Sequence, residues 1–413
     1  MQDTFLKEFN QRGYYNQCSD HKELEDLMSQ NKIKAYIGFD CTAPSLHVGS
    51  LMQIMCLRLL QKHGHQPIVL LGGGTTLIGD PSGKEETTKI LDKKEINKNI
   101  KSIEKVFKIF LKSNNKKTKP IFVNNYTWLS KLNYINFLRE IGKHFTINKM
   151  LTFDSIKLRL EREQSLSYME FNYMMLQAFD FFELNNRINC VLQIGGSDQW
   201  GNIVNGVDLI KRKNKKQTYG LTTPLITLSS GAKMGKTEKG AIWLDKKMLS
   251  PYEYWQFWRN TDDKDVINFL KLFTDLNITE IENLQKNNKD INKLKILLAN
   301  ETTKMLHGAK EANESQITAQ KTFGDKSIGK NLPVFKIKKN IILNGINVLD
   351  LVIQTKLANS KGEIRRMIKN NGLRINNEVM SDETKIIDQS NFVENNSLKV
   401  SHGKKQHVIV KII

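Results

Sequence analysis

Cysteine is scarce in this chain. Cys18, Cys41, Cys56 and Cys190 show neither paired spacing nor a Cys-x-x-Cys. That excludes a disulfide or zinc framework and fits reduced core or loop thiols of a cytosolic protein. No apolar run reaches the roughly 18 residues that a membrane-spanning helix needs, so no membrane partner is expected. The opening Met-Gln-Asp-Thr-Phe-Leu-Lys-Glu is too acidic and too weakly apolar for a signal peptide, and the expected location is cytoplasmic. Acid is the other shortage: 43 Asp and Glu stand against 63 Lys and Arg, a formal charge of +20. Such an imbalance points to a polyanionic partner, nucleic acid first, although the abundance of Lys and Asn makes part of it compositional. The 413 residues suffice for two or three domains.

What is present is organised around Tyr36-Ile-Gly-Phe-Asp40-Cys-Thr42-Ala-Pro44-Ser45-Leu-His47-Val-Gly49-Ser50. An apolar strand is expected from about Lys34 to Phe39, then a polar turn, then a helix opening near His47. Strand, tight loop and helix N-terminus set free backbone N–H groups and a positive dipole end against an anion, which suits a triphosphate. His47 and Ser50, three apart, would share one face of the first helical turn. A Rossmann-like first strand with a His that merely caps the helix is the plainer alternative. Residues 67–74 are a continuous apolar run, the mark of a parallel strand buried on both faces, and complete a right-handed βαβ unit. Gly79-Asp80-Pro81-Ser82-Gly83-Lys84 follows as a turn-rich loop with one acid and one base. Residues 85–118 read as a charged helix and 120–124 as a third buried strand. Residues 126–163 read as helical, with an apolar face of Trp128, Leu132, Phe137, Leu138 and Ile141 wide enough to pack on another subunit.

The helix expected from about residue 165 to 184 is apolar nearly all round, yet Tyr173, Gln177 and Asp180 fall on one stripe. A buried polar stripe costs free energy unless it is satisfied. It either meets other polar groups of the protein or lines a pocket where a phenol, an amide and a carboxylate hold a hydroxyl and an amine. Residues 190–194 form a fourth strand ending in Gly195-Gly196-Ser197-Asp198-Gln199-Trp200-Gly201. Glycines there admit a ligand to the backbone, and Asp198 and Gln199 suit ribose hydroxyls or a carboxyl group. Residues 211–216 hold five cations in six positions, a solvated turn or an RNA contact. Gly231-Ala-Lys233-Met-Gly235-Lys236-Thr237 approaches a P-loop but has Ser230 where that motif needs Gly. It reads instead as a mobile loop whose two lysines close on developing phosphate charge. Residues 251–323 are helical in pattern, 324–345 read as a linker, and 346–413 form a second small core. There Lys361, Arg365 and Lys369 make one stripe with Arg366 beside it, either a solvated face or an RNA-binding one.

Together these motifs resemble the bacterial tyrosyl-tRNA synthetases, which are class I aminoacyl-tRNA synthetases, over essentially the whole length. His47-Val-Gly-Ser50 is similar to the family's HIGH signature and Lys233-Met-Gly-Lys236-Thr237 to its KMSKS loop. Gly-Phe-Asp-x-Thr-Ala, Gly-Asp-Pro-Ser-Gly-Lys and Gly-Gly-Ser-Asp-Gln-Trp-Gly-Asn are further specific matches. Ser360-Lys-Gly-Glu-Ile-Arg365-Arg-Met-Ile and Gly372-Leu-Arg-Ile-Asn-Asn377 resemble an S-four-type RNA-binding domain. The implied fold is α/β: a Rossmann-like parallel-sheet catalytic domain with a helical insertion (1–225), the KMSKS loop with an α-helical tRNA-binding domain (226–323), a linker (324–345), and a small α+β S-four-type domain (346–413).

The resemblance also implies roles. Tyr36 and Asp180 would hold the phenolic hydroxyl of L-tyrosine with Gly38 beside the substrate, and Asp80, Tyr173 and Gln177 its α-amino group. Asp40, Gln199 and Gly196 would surround the carboxyl and α-phosphate, Asp198 the ribose, and Gly49 and Ser50 the nucleotide. Thr42, His47, Lys84, Lys233, Lys236 and Thr237 would stabilise the departing pyrophosphate of ATP, which enters with Mg2+; no protein-bound metal is implied. Lys211 and Arg212 would meet the acceptor stem of tRNA(Tyr), and Lys361, Arg365, Arg366 and Lys369 other phosphates of it, in a homodimer. Three residues depart from the family pattern. Ser50 replaces the second His of the signature, Thr88 stands where the mobile loop usually has Arg (with Lys89 a substitute), and Ile37 offers the ribose no side-chain bond. The alternatives are a tryptophanyl-tRNA synthetase and a non-catalytic, splicing-type RNA-binding protein on the same scaffold. The phenol-binding pair and the tail argue against the first, the usable signature stretches against the second.

Overall fold

A six-stranded sheet organises the first of two units, Met1–Leu249 with Phe257–Leu306. The computed structural model describes residues 4–82, 91–229, 231, 234–237, 240–287, 290–324, 332–393, 396–403 and 406–413. The sheet comprises β1 (Gln17–Cys18), β2 (Lys34–Phe39), β3 (Gln66–Leu71), β4 (Ile121–Asn124), β5 (Cys190–Gly196) and β6 (Tyr219–Thr223), in the order β1-β6-β5-β2-β3-β4. All neighbours are parallel except β1 on β6. Its inner strands are buried on both faces, with Ala35, Ile68, Val69 and Leu192 fully enclosed, which is why they read as unbroken apolar runs. From β2 the chain steps to β3 and β4 on one side, then returns to β5 and β6 on the other. That reversal opens a crevice between β2 and β5 at the strands' C-terminal ends, the place where open α/β sheets hold ligands.

Helix α1 (Leu51–Lys62) crosses from β2 to β3, α2 (Lys93–Phe110) precedes β4, and α3 (Tyr173–Ile188) and α4 (Trp200–Asn214) flank β5. Gly206 lets α4 close on α3, since a Cβ there would come within 3.0 Å of Phe181. The helix expected over 165–184 is two helices. Ser167 and Glu170 form a capping box that starts the short one, Tyr168–Phe171, and α3 begins anew at Tyr173. Glu170, buried, also pairs with Arg159 at 3.1 Å. Trp128, Phe137 and Ile141, expected to face another subunit, are buried in this unit's own core; the exposed apolar residues here include instead Tyr134, Ile135, Ile147, Tyr168 and Met169. Short strands β7 (Lys236–Thr237) and β8 (Gly240–Ala241) pair antiparallel in the expected loop. No described helix is long and apolar enough to cross a membrane.

The second unit takes Ser250–Gln256 and His307–Ile413. The expected all-helical stretch is indeed helical, from Pro251 to Gly324, with its helices divided between the units. The stretch 324–345 is not linker throughout. β9 (Val334–Ile337) and the helix Lys339–Leu343 lie within it, and β9 is an edge strand of a five-stranded sheet. The β9 segment alternates exposed and buried positions ending at Ile337, a pattern the flanking Gly and Pro obscured. The remaining strands are β10 (Ile346–Asn347), β11 (Leu373–Ile375), β12 (Glu378–Val379), β13 (Ile386–Ile387), β14 (Ser397–His402) and β15 (Gln406–Ile412), with the sheet ordered β12-β11-β14-β15-β9. Helix α5 (Lys361–Lys369) turns Ile364, Met367 and Ile368 into a core shared with Leu351, Leu398 and Val410.

Candidate active site

The crevice between β2 and β5 holds a cavity of about 350 Å³. Its walls bring together Tyr36, Gly38, Asp40 and Thr42 from β2 and the turn after it, Gly49 and Ser50 before α1, and Asp80 after β3. Tyr173, Gln177 and Asp180 come from α3, and Gly196, Asp198 and Gln199 from the end of β5. The polar stripe of α3 therefore does both things open to it: it lines a pocket and bonds to protein groups.

At the closed end, Asp180 is buried. Its Oδ2 accepts from Asn125 Nδ2 (2.8 Å) and its Oδ1 from Trp128 Nε1 (2.7 Å). Burial pushes its carboxyl up to about 7, against the pull of those two hydrogen bonds. Beside it Tyr36 is 1 % exposed, and its hydroxyl meets no partner among the described residues. Gln193, the register neighbour of Tyr36 on β5, leaves its Oε1 unpartnered in the same way. Burial, and then the Asp180 charge, hold the Tyr36 phenol well above its usual range, so it enters chemistry as a neutral O–H. Unmade bonds in so dry a place mark where a polar ligand fits.

A chain of hydrogen bonds leads away from that end. Asn125 Nδ2 also donates to Thr75 Oγ1 (3.0 Å), which donates to Asp40 Oδ1 (2.9 Å); the Tyr173 hydroxyl donates to Asp40 Oδ2 (3.3 Å). The chain needs glycine beneath it, because a Cβ on Gly72 would lie 2.4 Å from Asp40 Oδ1 and 2.5 Å from Thr75 Oγ1. A second chain ties Asp80 to the end of β5 and to α3. Gln199 Nε2 donates to Asp80 Oδ2 (2.8 Å), while Asn202 Nδ2 donates to both Gln199 Oε1 and Gln177 Oε1 (3.1 Å each). Two carboxylates, a phenol and two amides thus converge on the middle of the cavity, a constellation suited to an ammonium and a carboxylate on one carbon.

The nucleotide-side expectations need correction. His47 and Ser50 do not share a helical face. His47 keeps extended backbone and caps the turn Val48–Ser50, with its Nδ1 accepting from Gly49 N (3.0 Å); α1 begins only at Leu51. Its ring packs against Trp243, while Val48 N donates to Ile242 O, and a Cβ on Gly235 would meet both His47 and Gly49 at 2.7 Å. The second signature loop is therefore seated on the first. Ser50 and Gly49 line the cavity; His47 does not. Lys84, Thr88, Lys89 and Lys233 lie outside the described residues, as do the side chains of Lys236 and Thr237.

Away from the cavity, Lys211 and Arg212 occupy the last turn of α4, where Arg212 Nη1 donates to His144 O (2.7 Å). On α5, Lys361 and Arg365 pair with Asp350 (2.6 Å) and Glu383 (3.4 Å) at exposed positions, and Arg366 and Lys369 are exposed. Such surface pairs contribute little and yield readily to a phosphate. Thr75, Asn125, Trp128, Gln193 and Asn202 went unnamed as site residues from sequence. Only Asn125 carried a usable signal, standing just past the C-terminal end of β4, which was expected to be buried and is instead a half-buried edge strand.

The comparisons agree with this geometry. Residues 28–324 match the model of the class I tRNA synthetases (W and Y), and the chain belongs to that family. Residues 326–410 match the tyrosine–tRNA ligase SYY-like C-terminal domain. The tyrosine–tRNA ligase of Pelagibacter ubique is 65% identical over 409 residues, covering 99% of both chains; that of Bartonella henselae is 52% identical over 98% of both. A C-terminally truncated mitochondrial tyrosyl-tRNA synthetase of Aspergillus nidulans superposes with a TM-score of 0.70 at 30% identity, covering 77% of this chain and 94% of its own.

Proposed function

We infer that the chain is a tyrosine–tRNA ligase: it activates L-tyrosine with ATP to tyrosyl-adenylate and then transfers tyrosine to the 3′ end of tRNA(Tyr). The observation that carries this is the closed end of the cavity. A carboxylate acceptor at Asp180 and an unpartnered donor at Tyr36 together match a phenol, which both donates and accepts. An indole N–H offers no lone pair to Tyr36, which disfavours tryptophan.

In this reading Tyr36 and Asp180 bind the hydroxyl, with Gly38 beside the substrate, and Asp80, Tyr173 and Gln177 bind the ammonium. Asp40, Gln199 and Gly196 then hold the carboxylate and α-phosphate, and Asp198 the ribose. Activation requires no general base. A carboxylate oxygen of tyrosine attacks the α-phosphorus in line, the bond to the bridging oxygen breaks, and pyrophosphate leaves with the Mg2+ that entered as part of the substrate. What the protein supplies is alignment and stabilisation of charge that grows in the transition state. Gly49, Ser50, Thr42, His47, Lys84, Lys233, Lys236 and Thr237 are assigned to that charge, His47 through the turn it caps. The terminal adenosine of tRNA(Tyr) next attacks the adenylate carbonyl and AMP leaves. Lys211 and Arg212 contact the acceptor stem, and Lys361, Arg365, Arg366 and Lys369 hold phosphates further along the tRNA. The domain limits at 225, 323 and 345 belong to this reading, with the last moved forward to about 332 by β9. So does a cytoplasmic homodimer, which the exposed Tyr134, Ile135, Ile147, Tyr168 and Met169 support.

The test is charging of a tRNA(Tyr) transcript with labelled tyrosine. The full chain is expected to charge it, and Asp180→Ala to lose about 2 kcal/mol or more of transition-state binding through the missing charged acceptor. Charging that survives Asp180→Ala unchanged places the phenol elsewhere.

A further inference from the structure

We propose that helix α2 carries a second RNA-binding surface, a lysine ridge that grips the phosphate backbone of a tRNA without reading its bases. It is separate from the tRNA contacts assigned above. Lys94, Lys98, Lys101, Lys105 and Lys108 are all exposed and, at 3.6 residues per turn, fall within one arc of about 80°. Their steps of three and four residues space them about 4.5–6 Å apart along roughly 21 Å of helix. Lys94, Lys98, Lys101 and Lys105 have no ion-pair or hydrogen-bond partner among the described residues, whereas Lys108 meets Glu104. Glu95 and Glu104 are the only acids of the helix and lie to either side of the arc. The charge continues past the helix: Lys112, Lys116, Lys117 and Lys119 are exposed before β4, and no Asp or Glu occurs from residue 105 to 139. A Lys-rich composition alone scatters cations; it does not confine them to one ridge and clear acids from the 35 residues that follow.

The chemistry of the ridge favours RNA over a lipid surface. A helix that lies in a bilayer interface must sink an apolar face, and that face of α2 is already spent, with Ile96, Ile103, Val106 and Phe107 buried in the unit's core. Lysine is a point charge that neutralises phosphate and lacks the planar fork that reads base edges. Backbone binding of this kind is sequence-independent and salt-sensitive.

The experiment compares the full chain with Lys98→Ala/Lys101→Ala/Lys105→Ala and with a control, Lys7→Ala/Lys22→Ala/Lys32→Ala, that removes as much charge from exposed positions to which no tRNA contact is assigned. Binding of labelled tRNA(Tyr) and of a non-cognate tRNA is measured across a salt series, with tyrosine-dependent pyrophosphate exchange on the same preparations. The ridge variant is expected to lower the slope of log K against log salt by about 2 to 3 and to weaken both tRNAs at least about tenfold at low salt. Exchange should be unchanged, and Lys→Arg at the same three positions should keep the slope. An unchanged slope overturns the proposal, as does an equal change in the control, which reduces the effect to net charge. Loss of retention on phosphatidylserine vesicles with the RNA slope intact also overturns it, by making the ridge a lipid surface. The choice of tRNA as probe rests on the function inferred above. Failure of that function appears separately, as absent exchange in the unsubstituted chain.

Discussion

At the scale of single residues the cavity is incomplete without its substrate, and that has measurable consequences. The buried Tyr36 hydroxyl is desolvated and bonded to nothing in the described protein. Tyr36→Phe should therefore leave the thermal midpoint of the free protein unchanged or raise it, while costing about 1–3 kcal/mol of tyrosine binding; calorimetry and tyrosine titration read the two effects separately. Asp180 gives a pH signature. Its folded pKa of about 7 lies above the usual 3.8, so between those values the folded state holds a proton that the unfolded chain has released. Its contribution to stability is full at low pH and is lost as pH rises toward 7. Tyrosine binding runs the other way, because the phenol O–H needs an ionised acceptor. kcat/KM for tyrosine should climb about tenfold per pH unit below 7 and flatten above it, and Asp180→Asn should remove that limb. The stripe of Tyr173, Gln177 and Asp180 was legible in sequence because helical spacing fixes which side chains align. Thr75, Asn125 and Gln193 were not, since nothing local says that β5 and the turns after β3 and β4 deliver them to one site.

At the scale of elements, buried strands and turns carry the site. The runs at 34–39 and 66–71 announced themselves because both faces are enclosed, whereas β9 went unseen because only one side of it is covered. The first helical turn was misjudged for a different reason. His47 satisfies the backbone N–H of Gly49 with its ring, and capping competes with helix at the start of a helix. The turn after β3 is equally demanding. Gly72→Ala forces its new methyl into Asp40 and Thr75, so tyrosine activation should fall by about 10²-fold or more with little loss of fold, as read by pre-steady-state adenylate formation against circular dichroism. A tolerated Gly72→Ala would mean that Asp40 does not need its present rotamer. For the loop that ends in β7, Lys236→Ala should lower kcat for activation far more than it raises KM for tyrosine.

At the scale of the whole molecule, two units have separate cores, and the proposed function gives them separate tasks. Every residue assigned to activation precedes residue 240, so a chain ending at residue 324 should still form tyrosyl-adenylate. Its charging of tRNA should fall and lose salt dependence, because Lys361, Arg365, Arg366 and Lys369 are gone; equal loss of both activities would make the second unit structural. The central claim is that this cavity selects the phenol of tyrosine, and ATP–pyrophosphate exchange by the purified full chain tests it most directly. Tyrosine, phenylalanine and tryptophan are supplied in turn at equal concentration. Tyrosine alone should drive exchange, because phenylalanine leaves the buried Tyr36 hydroxyl unpaired and brings Asp180 no hydroxyl, and the indole of tryptophan offers Tyr36 no acceptor. Exchange driven as well by tryptophan or phenylalanine, or by none of the three, would contradict it.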